Sequence, residues 1–179
     1  MKEATRRKNV IYIRRPEICD ADEFIRLSRA SLKFYQGLAT PVTTARRFED
    51  YLKRCQQSDF EGFLICRRED DAIVGSINLS QIFLGGFKNA YLGYQIGEPF
   101  ASRGYMTEAL GLVLKYAFKT RKLHRLEANI QPGNMASIAL VKRAGFTKEG
   151  YSRRYLKIAG RWRDHERWAI VVEDWQCVS

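Results

Sequence analysis

Ala101-Ser102-Arg103-Gly104-Tyr105-Met106 stands where a strand pattern gives way to a helical one. The first N–H groups of a helix have no intrahelical partner and carry partial positive charge. Gly104 lets the main chain approach a ligand closely, and Arg103 adds a full charge. A turn of this kind suits a pyrophosphate. No Gly-Lys-Ser/Thr follows, so it is not the P-loop of a nucleotide hydrolase, and it does not read GxGxxG. By itself it says only that an anion sits at a helix start.

Other residues could add chemistry. Asn134 and Ser137 open a shorter helix. They read either as an ordinary cap with a locally bonded serine, or as groups facing a ligand. Glu108, Glu127, Asp164 and His165 are the available bases. Glu108 lies in a first helical turn, where a carboxylate more often complements the dipole. Glu127 alternates with Leu126 and Ala128, so it faces either a cleft or the opposite side. Trp162, Asp164 and His165 lie on a terminal hairpin, where they either shape a substrate cleft or pack the sheet. His165-Glu166 begins a zinc-site pattern, but Ala169 holds the position a second histidine needs, so no metal is expected.

Several segments together are more specific. Tyr91-Leu92-Gly93-Tyr94-Gln95-Ile96-Gly97 is followed by Arg103-Gly104-Tyr105-Met106-Thr107-Glu108-Ala109. Then come Asn134-Met135-Ala136-Ser137 and Ala144-Gly145-Phe146-Thr147-Lys148-Glu149-Gly150-Tyr151. This series resembles the GNAT acetyltransferases, and within them the RimJ/RimL-type enzymes that acetylate ribosomal-protein N-termini. Gly160-Arg161-Trp162-Arg163-Asp164-His165 resembles the RimJ end of that group. The resemblance implies acetyl-CoA as cofactor, in a wedge between splayed strands near 91–97 and 125–130. The pantetheine arm would pair with Tyr94, Gln95 and Ile96. The pyrophosphate would take amides of Arg103, Gly104, Tyr105, Met106 and Thr107, with Asn134 contacting the cofactor from the next helix. Ala101 and Ser102 depart from the family's usual Gln/Arg and Gly, which implies weaker binding.

Transfer of acetyl to an amine needs a neutral amine, donors at the oxyanion and a proton for the sulfur. The family's usual acid, a tyrosine four residues after the serine, is Val141 here. By resemblance to RimL-type enzymes, Ser137 would be the proton donor. The glutamate some relatives carry after Gly150 is Leu156 here, which leaves Glu127 as the catalytic carboxylate to test. An α-amine, with a pKa near 7.7–8.0, is roughly a tenth or more neutral at neutral pH, against well under about 0.1% for lysine near 10.4. A site without a strong base therefore matches protein N-termini.

These residues need a scaffold. Val10–Ile13 reads as a strand. Asp20 caps a helix to about Phe34, and Thr43 or Thr44 caps another carrying Phe48, Tyr51 and Leu52. Residues 63–66, 73–79 and 90–96 read as strands, with turns at Asp70-Asp71 and Gly85-Gly86. Met106, Ala109, Leu110, Val113, Leu114 and Ala117 mark one face of a helix over 104–120. A strand at 126–130, a helix at 134–144 ended by Gly145, and strands over 146–158 and 162–173 complete the order. The order predicts an α+β fold with a mixed, mostly antiparallel sheet of about seven strands. It implies the GNAT fold, with a splayed parallel pair in the middle and about four flanking helices. Residues 1–9 read as a basic arm and 10–179 as one domain.

The formal net charge of +11 favours an anionic partner. That leaves three readings open: an acetyltransferase acting on a ribosomal or other cytosolic protein, one acting on a polyamine or aminoglycoside, or a ribosome- or RNA-binding protein with a vestigial cofactor site. A cationic small amine would prefer an acidic cleft. Four scattered cysteines and no long apolar run predict a cytoplasmic chain without disulfides or a membrane span. A monomer or homodimer is expected.

Overall fold

The computed structural model describes residues 9–178, so most of the expected basic arm lies outside the described residues. Seven strands form one mixed sheet in the order β1-β2-β3-β4-β5-β7-β6. They are β1 (Ile11–Arg14), β2 (Phe60–Arg67), β3 (Ile73–Phe83), β4 (Asn89–Ile96), β5 (Arg125–Ile130), β6 (Thr147–Ile158) and β7 (Arg161–Val171). Only β4 and β5 pair in parallel; the other neighbours are antiparallel.

The helices are α1 (Ala21–Ala30), α2 (Ala45–Cys55), α3 (Tyr105–Lys115), α4 (Met135–Arg143) and α5 (Val172–Val178). Strand alternation sorts them onto two faces. Leu64 and Cys66 of β2 pack with Phe24, Ile25 and Phe48 of α1 and α2. Phe63 and Ile65, one residue out of phase, join the larger core with α3 and α4. Leu110, Val113 and Leu114 anchor α3 there, each at most 3% exposed. Burying each contributes about 1.5–3 kcal/mol, so the N-terminus of α3 is held rigidly against the sheet.

Three expectations change. α1 stops at Ala30, and residues 31–38 run on as turns. Asp20 stands at the N-cap of α1, but its side chain makes no cap bond; its carboxylate is taken by Arg14 at 2.6 and 2.7 Å and by the Glu17 N–H at 2.7 Å. The last strand ends at Val171, and α5 follows with Glu173 and Asp174 in its first turn. Thr44, not Thr43, caps α2 by accepting from the Arg47 N–H.

At one end of the sheet, Glu61 of β2 is 6% exposed. Arg121 reaches one carboxylate oxygen at 2.9 Å and Arg15 the other at 3.3 Å. The cluster joins the chain after β1, β2 and the turn that ends the α3 segment.

Candidate active site

The cleft opens where β4 leaves β5. The two strands pair only from Asn89 with Arg125 to Tyr91 with Glu127. On its other side β4 stays paired with β3 as far as Ile96 opposite Gly75. A Cβ on Gly75 would collide with the Gln95 carbonyl, so glycine there lets the strands close. From Leu92 to Ile96 the edge of β4 facing β5 has no strand partner. The Tyr35 hydroxyl donates to the Ile96 carbonyl, tying the 31–38 segment to the end of that edge.

Beyond Ile96 the chain makes a single helical turn at Glu98–Phe100 and enters the anion-binding turn. Ser102 and Gly104 both lie in the left-handed region, with φ of 60° and 84°. Alternating backbone hand turns successive N–H groups toward one side, forming a concave nest for an anion. Gly104 is the N-cap of α3 and gives no side-chain cap. The first N–H groups of α3 are therefore left to a ligand.

These features border a cavity of ≈ 580 Å³. Its lining includes Tyr94, Gln95, Ile96, Arg103, Gly104, Tyr105, Met106, Thr107, Asn134 and Ser137. The side chain of Asn134 accepts from the Ser137 N–H at 3.2 Å, so it caps α4 while facing the cavity. The Tyr94 hydroxyl is buried beside Ser137, and burial pushes its pKa up to about 12 while Ser137 pulls the other way.

Residues 11–147 match the acetyltransferase (GNAT) domain family. The chain belongs to the GNAT acetyltransferases. It is 35% identical over 172 residues to YjcK of Bacillus subtilis, named a probable N-acetyltransferase, covering 92% of this chain and 95% of that one. It is 42% identical over 107 residues to the uS5-alanine N-acetyltransferase of Escherichia coli, covering 60% of this chain and 55% of the relative. Mycobacterium smegmatis RimJ, solved with CoA-disulfide, superposes with a TM-score of 0.83 at 26% identity, over 91% of this chain and 82% of that one. A Vibrio cholerae spermidine N-acetyltransferase superposes at 0.81 with 19% identity, over 94% and 99%, and shares the fold.

This acetyltransferase depends on acetyl-CoA, and the cleft fits that cofactor. The uncapped α3 terminus and Arg103 suit its pyrophosphate, and the unpaired edge of β4 suits the amides of its pantetheine arm. Arg143 of α4 adds a second cation to the lining. Gly104→Ala is expected to cost about 1–2 kcal/mol of stability, because a Cβ disfavours the left-handed region. It should also weaken acetyl-CoA binding, and calorimetric titration with a thermal melt would measure both.

Five sequence candidates lie elsewhere. Glu127 lines neither this cavity nor the second one described below. Its carboxylate accepts from Arg125 at 3.0 Å and Asn89 at 3.3 Å, and Arg125 also holds Glu149. Its neighbours Leu126 and Ala128 point into the core, which puts Glu127 on the other face. Glu108 lines neither cavity; its carboxylate accepts from the Ile11 N–H and fastens β1 to α3. His165 is 2% exposed, with Nδ1 3.0 Å from the Arg163 carbonyl, and burial lowers its pKa. Asp164 accepts from the Tyr151 hydroxyl at 2.6 Å and the Arg154 N–H at 2.7 Å, while Trp162 is 61% exposed on the same hairpin. None of these three lines a cavity of the cleft.

The enzyme's cleft also contains residues that the sequence reading passed over. Phe34 comes from the expected end of α1, and Tyr35 and Leu38 from just beyond it. Ala136, Ala139, Leu140 and Arg143 come from α4. Their i, i+3, i+4, i+7 spacing marks one helical face, a signal legible from Ser137 onward. Val141, the family's acid position, is fully buried.

A second cavity of ≈ 190 Å³ lies on the α1–α2 side of β4. It shares Tyr94 and Gln95 with the first, and Phe24, Thr40, Val42, Tyr51, Ser76, Asn78 and Gly93 complete it. The Tyr51 hydroxyl donates to Asn78 Oδ1 at 2.8 Å. No carboxylate lines it.

Proposed function

We propose that this enzyme acetylates the α-amine of a protein N-terminus, with a ribosomal protein as the first substrate to test. The observation that carries the reading is the neutral second cavity beside the cofactor cleft. A polyamine keeps several positive charges and needs carboxylates to offset its loss of water. A peptide's first residue brings one amine, which reacts only once neutral. The partial match to the uS5-alanine enzyme supports the same choice, although it spans about half of that relative.

Acetyl-CoA supplies the acetyl group as a thioester, activated toward attack at its carbonyl carbon. The chain's residues do the rest. Arg103, Gly104, Tyr105, Met106 and Thr107 hold the phosphate end, and Tyr94, Gln95 and Ile96 align the pantetheine arm. Asn134 fixes the first turn of α4 and with it Ser137. We assign Ser137 the relay of a proton from water to the departing sulfur. The unpaired amine needs no strong base, in keeping with Glu127 being held by Arg125 and Asn89.

The test uses the purified enzyme with acetyl-CoA, offered peptides beginning with alanine or serine, the same peptides with blocked N-termini, and spermidine. Acetylation of the free peptides is expected, read by intact mass. Its rate should rise about tenfold per pH unit at first and level off near pH 7.7–8.0, where the amine itself titrates. Transfer to spermidine with none to peptides would overturn the reading in favour of a polyamine acceptor.

A further inference from the structure

We propose that the Tyr94 hydroxyl is the side-chain donor to the thioester carbonyl oxygen, stabilising the negative charge that gathers there during transfer. The proposal rests on acetyl transfer in this cleft, and not on which amine accepts.

Three observations point to it. The hydroxyl is buried and has no hydrogen-bond partner of normal geometry among the described residues. Leaving a buried hydroxyl unpaired costs about 1–3 kcal/mol, so a partner from outside the chain is the physical account of its retention. Tyr94 also borders both cavities, the cofactor cleft and the neutral pocket beside it, and so stands where donor and acceptor must meet. Finally, it lies next to Ser137. The carbonyl oxygen and the sulfur of a thioester are bonded to the same carbon. Groups that serve the two atoms must therefore be neighbours, as Tyr94 and Ser137 are.

The chemistry separates their roles. Burial keeps the phenol protonated throughout the neutral range, so it gives a hydrogen bond and retains its proton. The amine nitrogen bonds to the carbonyl carbon, and the carbon–oxygen π pair moves onto oxygen under the Tyr94 hydrogen bond. That pair then returns as the carbon–sulfur bond breaks with its electrons on sulfur. Sulfur takes a proton relayed by Ser137, and the proton lost by nitrogen passes to water. Tyr94 ends the cycle unchanged.

Tyr94→Phe removes one oxygen and keeps the ring that packs against the core. Turnover is expected to fall by roughly 10²–10³-fold, the usual loss for one oxyanion donor, with little change in KM for acetyl-CoA. A second readout needs no acceptor. Infrared difference spectra of acetyl-CoA labelled with carbon-13 at the carbonyl should show the stretch at lower frequency when bound to the wild type than in solution. With Tyr94→Phe the stretch should return toward the solution value while a thermal melt shows the variant folded. An unshifted carbonyl in the wild type, or a shift that survives in the variant, would overturn the proposal even if peptides are acetylated. A shift that Tyr94→Phe abolishes would support it even if the acceptor proves to be another amine.

Discussion

Arg15→Met combined with Arg121→Met is expected to cost about 3–5 kcal/mol, the range found when a buried carboxylate loses its partners. Glu61 has a side chain only 8% exposed, whereas Arg15 and Arg121 are 46% and 30% exposed. The burden of dehydration therefore falls on the carboxylate. Glu61→Gln should cost less than the double arginine change, because the arginines it strands can reach water. Adding Glu61→Leu to the double variant should recover much of the loss, since no charge then remains buried. Urea denaturation of the four proteins tests the ordering. Equal costs for Glu61→Gln and the arginine pair would show that mutual attraction, rather than burial of one charge, sets the balance. The cluster lies away from the cleft, so acetyl-CoA binding by the folded fraction should not change.

Ser137→Ala should lower turnover by roughly 10²-fold, the scale of a lost proton-transfer group. The serine N–H bond to Asn134 survives the change, so the first turn of α4 stays capped and KM for acetyl-CoA should hold. Steady-state rates with a peptide acceptor would show this as a loss confined to kcat. An unchanged kcat would mean that water reaches the sulfur directly.

Much of this architecture can be read from residue order. The strand, glycine turn and amphipathic helix over 91–120 announce themselves because Ala109, Leu110, Val113, Leu114 and Ala117 repeat at helical spacing and are all buried. Every residue assigned to the cofactor cleft from sequence borders it. The misses have a shared cause. Leu32 and Phe34 continue the apolar spacing of α1, yet they are 48% and 42% exposed, because Phe34 serves the cleft rather than the core. Apolarity alone does not distinguish the two uses. Val171 and Val172 continue a strand pattern, but β5, the partner of β7, begins at Arg125 opposite Val171, so the ladder runs out. Glu127 and His165 show the other limit. Alternation assigns a side chain to one of two faces, and only the assembled sheet shows which face is open. The unpaired hydroxyl of Tyr94 had no sequence signal at all, because the lack of a partner is a property of three-dimensional surroundings.

The early parting of β4 and β5 has a consequence for the life of the protein before it meets its cofactor. An unpaired strand edge is a template for other chains, and proteins usually hide such edges or blunt them with charge. Here the edge from Leu92 to Ile96 lies in the middle of the sheet, in a gap that a bound cofactor arm would fill. Acetyl-CoA is then a structural complement as well as a reagent. At a concentration about 100-fold above its Kd, it would add about 2.7 kcal/mol to the folded state. The gap between β4 and β5 would thus be closed, and its backbone groups satisfied, only in the cofactor-bound protein.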